Sequence, residues 1–126
     1  MEVNSLDINK TRLYYEHLSE YNLCNCAYCI NYIREIKKAY PKLSKYLASL
    51  GVDIEKPLET IFLEPDKNGN IEYPIAQYVV CGNSNDFADK VIDEVTIDIS
   101  EFHPTPTLDE EYFVIDVYPI KLKWIL

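Results

Sequence analysis

A chain of 126 residues with 48% hydrophobic and 26% charged side chains is long and apolar enough to bury one core, which excludes a disordered polymer. Its formal net charge of −9 excludes nucleic acid as the partner of most of its surface. No apolar run approaches the ~20 residues that span a bilayer, and residues 1–5 lack the basic start of a signal peptide, so the expectation is a cytoplasmic, non-membrane protein with reduced thiols.

In chain order, residues 1–10 are polar and read as a loosely held arm. Residues 11–18 hold Leu13, Tyr14 and Tyr15 in so short a run that a strand or irregular lead-in is expected. From Cys26 onward, Cys26, Cys29, Ile30, Ile33, Ile36 and Tyr40 recur at spacings of three and four, which predicts a helix over 26–40 with Asn25 as its N-cap. Pro41 disfavours helical geometry at Tyr40 and suits the first turn of a second helix over 41–50. Leu43, Tyr46, Leu47 and Leu50 of that helix face the core, and Gly51 is its left-handed stop.

Beyond the connector 52–58 the pattern changes to strands. Residues 60–64 predict one strand, 65–70 a turn built on Asn68-Gly69, and 71–73 its return, with Pro74 interrupting before an apolar strand over 75–81. Residues 91–99 alternate, with Asp93, Val95, Ile97 and Ile99 on one side, and predict one half-exposed strand. The segment 102–107, with Pro104 and Pro106, is a stiff loop. Residues 112–118 and 120–125 form a last strand bent at Pro119, with Ile120, Leu122 and Trp124 turned inward. Helices gathered ahead of a run of strands predict an α+β fold over a single domain, 1–126. Two N-terminal helices then pack on one face of a mostly antiparallel sheet of about five strands.

Three of the four cysteines, Cys24, Cys26 and Cys29, fall within six residues at the predicted helix start. This C-x-C-x₂-C spacing can present thiolates to zinc; a closed site needs a fourth ligand, and His17 is the candidate nearest in sequence. The same position suits dithiol redox chemistry, because a helix N-terminus stabilises a thiolate; Cys26 would be the nucleophile and Cys29 the resolving thiol. The third reading is packing, with Cys26 and Cys29 buried against the sheet. Cys24, in a polar setting, fits packing least. Cys81 lies in an apolar strand and reads as a small buried hydrophobe.

Elsewhere the chemistry-bearing patterns fail. Asp66-Lys67-Asn68-Gly69-Asn70 is similar to the opening of a calcium loop, but Ile71 and Gln77 stand where that loop needs glycine and glutamate. There is no nucleophile elbow, phosphate loop or histidine–glutamate metalloprotease motif, so no catalytic residue is assigned and zinc is the one cofactor considered.

One feature is compatible with a partner. The chain carries eleven tyrosines, residues suited to half-buried faces and interfaces. Charge is also divided: residues 1–56 hold 8 basic and 7 acidic side chains, and residues 57–126 hold 4 and 14. The leading expectation is a non-enzymatic domain that binds an unidentified protein partner or forms a homo-oligomer, with a thiol site as the alternative.

The helix start Cys26-Ala27-Tyr28-Cys29-Ile30-Asn31-Tyr32, the connector Leu50-Gly51-Val52-Asp53-Ile54-Glu55-Lys56-Pro57 and the closing Leu122-Lys123-Trp124-Ile125-Leu126 together resemble an uncharacterised family of small bacterial proteins. In that family a cysteine-bearing helix precedes an LGxDxxKP segment, and the chain closes on a Leu-x-Trp-apolar-Leu strand. The resemblance spans nearly the whole chain and implies a complete domain, with no activity or ligand attached.

Overall fold

The computed structural model describes residues 6–19 and 23–126; residues 1–5 of the expected arm lie outside them. The remainder of that arm is held in place. Leu6 bridges to Gly82, and Asp7 caps a helix, α1 (Ile8–His17), by accepting the Lys10 amide on Oδ1 at 2.9 Å. This helix replaces the strand or lead-in expected over 11–18. Its inward positions, Thr11 and Tyr15, are one polar residue and one tyrosine, too few to announce an apolar stripe.

The second helix, α2 (Ala27–Ala39), and the third, α3 (Pro41–Ser49), meet at Tyr40, where Pro41 opens the new helix as expected. Two details differ. Cys26, with extended backbone, is the N-cap instead of Asn25. The buried stripe of α2 is Asn31, Tyr32, Glu35 and Ile36; of the predicted stripe Cys26, Cys29, Ile30, Ile33, Ile36 and Tyr40, Ile36 is buried and the others are half-buried. Asn31 and Tyr32 are drawn inward because each finds hydrogen-bond partners in the sheet.

At the end of α3, the amides of Gly51 and Val52 return to the carbonyls of Ala48 and Leu47, the double closure of a Schellman stop. Gly51 has φ +87°, and a Cβ there would lie 2.5 Å from the Ile8 carbonyl oxygen, so only glycine lets α1 cross the end of α3.

The strands are β1 (Glu59–Ile61), β2 (Asn70–Tyr73), β3 (Ile75–Cys81), β4 (Lys90–Ile92), β5 (Val95–Ile99), β6 (Tyr112–Tyr118) and β7 (Ile120–Lys123). Five of them form an antiparallel sheet in the order β1-β3-β6-β5-β4, and β2 pairs with β7 in a separate antiparallel ladder. The expected α+β architecture is therefore present, with a third helix added. The single strand expected over 91–99 is a hairpin: Asp93 and Glu94 have φ of 50° and 67°, the left-handed backbone that two-residue hairpin turns use, and β4 folds back on β5. The strand expected over 60–64 is confined to β1. The Asn68-Gly69 turn stands, with Asp66 Oδ1 accepting the Asn68 and Asn70 amides at 2.8 and 3.0 Å.

One register runs through both ladders, from Asn70 opposite Lys123 to Cys81 opposite Tyr112, so Pro74 faces Pro119. At that point the core-facing positions skip. They run Ile71, Tyr73, then Ala76, Tyr78, Val80 on one strand, and Leu122, Ile120, then Val117, Ile115, Phe113 on the other. Neither proline offers an amide to the ladder, and both strands shift phase together. The inner face packs Tyr32, Ile36, Leu43 and Leu47 into one core.

Helical side chains finish the strand edges. Beyond β1, the exposed side of β3 is covered by α1: Tyr15 Oη accepts the Val79 amide at 2.9 Å and donates to the Val79 carbonyl at 2.8 Å, and Thr11 Oγ1 accepts the Cys81 amide at 2.9 Å. On β7, Tyr40 Oη accepts the Lys121 amide at 3.0 Å, and Asn31 bonds the Lys123 carbonyl and the Ile125 amide at 2.9 and 2.8 Å. Backbone groups that a further strand would have paired are thus satisfied from the helices. No helix among the described residues is long and apolar enough to cross a membrane.

Candidate functional site

The loop that delivers the chain into α2 brings Cys24, Cys26 and Cys29 together, with their sulfurs all within 4.8 Å of one another. Cys24 is exposed, and Cys26 and Cys29 are half-buried. The Cys24 thiol donates to Cys26 Sγ at 3.1 Å, and the Cys26 amide points back at Cys24 Sγ at 3.5 Å. Cys29 Sγ sits 4.0 Å from Thr60 Oγ1 on β1. A small cavity of about 40 Å³, lined by Cys24, Cys29, Ile33, Leu58 and Thr60, adjoins the sulfurs and has room for one water-sized species.

The three thiols are electrostatically unlike. Partial burial pushes the Cys26 pKa up, but donation from the Cys24 thiol, the Cys29 amide and thiol, and the Tyr28 amide outweighs it, leaving Cys26 below the ordinary thiol value. No side chain caps α2, so its first-turn amides remain available to this sulfur. Cys29 moves the opposite way: burial first, then its place beside the other two sulfurs, holds it protonated far above the usual thiol range. The neighbouring sulfurs favour charge on Cys26 and oppose it on Cys29.

The first turn of α2 is fixed by residues that local spacing could not reveal. Tyr73 Oη donates to the Tyr28 carbonyl at 2.5 Å. The Tyr28 ring stacks on Phe62 at 3.9 Å and lies 5.5 Å from Trp124, while its hydroxyl donates to both Glu64 oxygens at 2.9 and 3.1 Å. Thr60, Phe62, Glu64 and Tyr73 come from β1, β2 and the segment between them. Only the long-range pairing of those segments brings them to the cysteines.

Of the four expected metal ligands, three converge and one does not. His17, at the end of α1, lines a separate cleft with Lys10, Leu13, Tyr14 and residues 107–110. Cys81 is buried on β3, as expected, and burial raises its pKa. His103 hydrogen-bonds through Nδ1 to the Pro104 carbonyl at 2.9 Å and stands edge-on to Tyr112. No family model, curated protein or solved structure matches this chain.

Proposed function

We propose that Cys24, Cys26 and Cys29 form a thiolate site that binds zinc. The observation that carries this reading is the convergence of three sulfurs within 4.8 Å. Tetrahedral zinc with Zn–S near ~2.3 Å sets its sulfurs about 3.8 Å apart, so small shifts of the Cys24 loop suffice to bring all three onto one ion. Zinc replaces thiol protons and removes the conflict among neighbouring sulfurs, of which Cys26 already favours the thiolate. The reading goes with a reducing compartment such as the cytoplasm, where thiols stay available to a metal.

The test is metal analysis of chain purified without chelator, followed by cobalt substitution. About one zinc per chain is expected, with sulfur-to-cobalt charge-transfer absorption on exchange, and serine at any of the three positions abolishes stoichiometric uptake. A wild-type chain that takes up neither ion, with its thiols titrating unchanged in added zinc, refutes the site.

A second reading is favoured by the opposed shifts of Cys26 and Cys29. In dithiol exchange the Cys26 thiolate attacks a substrate disulfide and expels one thiolate. Cys29 then gives up its proton, attacks Cys26 Sγ and releases the second thiol, leaving a Cys26–Cys29 disulfide. Cys24→Ser separates the two: it removes a metal ligand but spares the exchanging pair.

A further inference from the structure

We infer that the outer face of the β2–β7 ladder is the contact surface between two copies of this chain. Ile71, Tyr73, Ile120 and Leu122 point into the core, so Glu72, Lys121 and Lys123 project from the opposite side. They border a groove of about 1030 Å³ that runs between α2 and the segment 63–66. Leu63 and Ile125 stand over it at 52% and 46% exposure, apolar groups at the two sides of a charged surface.

The order of charge across the groove selects the occupant. Lys121 and Lys123 lie on the β7 side, next to an α2 whose Lys38 is already paired to Glu35 at 2.9 Å; Glu64, Asp66 and Glu72 lie on the β2 side. Among the described residues, the side chains of Lys121, Lys123 and Glu72 enter no ion pair within the chain. A closed dimer requires a patch that complements itself. A twofold axis lying in the contact plane along the strands sets each copy's β7 lysines over the other's acidic side. This inference is independent of metal or thiol chemistry at the cysteines.

Sedimentation equilibrium of the full chain over a concentration series tests it. The wild type should approach twice the 14.7 kDa chain mass as concentration rises. Lys121→Glu/Lys123→Glu and Glu72→Lys should each remain at the single-chain mass with unchanged circular dichroism. An equimolar mixture of the two should return to the doubled mass, because the acidic β7 of one variant then meets the basic β2 of the other, while the unchanged β7 lysines meet the unchanged acidic β2. Leu63→Asp, a change at an exposed position, should also give single chains. A wild type that stays at one chain mass at every concentration overturns the inference. Association that survives both charge reversals, or a mixture that stays dissociated, overturns it equally.

Discussion

Tyr15→Phe removes one oxygen and keeps the ring, which isolates what the hydroxyl contributes at the β3 edge. Tyr15 Oη serves both main-chain groups of Val79, accepting its amide at 2.9 Å and donating to its carbonyl at 2.8 Å. Val79 is 1% exposed, so water cannot take over either role. Each buried orphan costs about 1–3 kcal/mol, and two partly relaxed orphans give an expected loss of about 2–4 kcal/mol. With a urea dependence of about 1.5 kcal/mol/M, a loss of 3 kcal/mol lowers the unfolding midpoint by about 2 M. Tyr32→Phe is the matched control. Tyr78 Oη donates to the Ile54 carbonyl at 2.7 Å, so the Tyr32 hydroxyl is the donor in their 2.6 Å contact, and its removal strands no backbone group. That change should cost about 1 kcal/mol. Urea titrations of both variants, with amide exchange read at Val79, decide the matter. Equal losses in the two variants, or an unaccelerated Val79 amide in Tyr15→Phe, would show that the hydroxyl does not secure the edge.

Burial raises the pKa of Tyr15, Tyr32 and Tyr78 above the free tyrosine value of 10.0. Their contribution to stability is complete below that value and is lost as pH climbs from there through the folded pKa values; thermal melts from neutral pH upward should fall steeply past pH ~10, with these three ionising only on unfolding by ultraviolet titration. Cys26 should alkylate first with iodoacetamide in metal-free protein, its rate rising at a lower pH than that of a free thiol, and Cys29 should react more slowly at every pH; mass-mapped labelling that finds Cys29 first would contradict the opposed shifts. Gly51→Ala places a methyl against the Ile8 carbonyl at positive φ and should cost about 2 kcal/mol or more by chemical denaturation.

What the sequence disclosed about the fold follows the kind of signal each element carries. The helix break at Pro41, the Gly51 stop, the Asn68-Gly69 turn and the interruptions at Pro74 and Pro119 were legible because each is one residue's backbone restriction. Helix α1 was not, because its buried positions are Thr11 and Tyr15, whose hydroxyls bond to a strand seventy and sixty-four residues away. The same blindness hid part of the buried face of α2: Asn31 counts as polar until the Lys123 carbonyl and Ile125 amide are known to meet it. At the candidate site, the three cysteines could be named from spacing, and their convergence is local. The exclusion of His17 and the clamp by Thr60, Phe62, Glu64 and Tyr73 depend on tertiary placement.

The facing pair Pro74 and Pro119 has a consequence for how this chain can change length. Removing one residue from a single strand at that point would turn every later side chain of that strand to the wrong face while its partner kept the old phase. Removing Pro74 and Pro119 together would leave the partners matched and restore strict alternation from Ile71 to Val80 and from Phe113 to Leu122. The product would be one continuous ladder in place of two. Insertions and deletions at this bend are therefore tolerated as a matched pair and opposed singly, a constraint on the family of sequences that can share this fold.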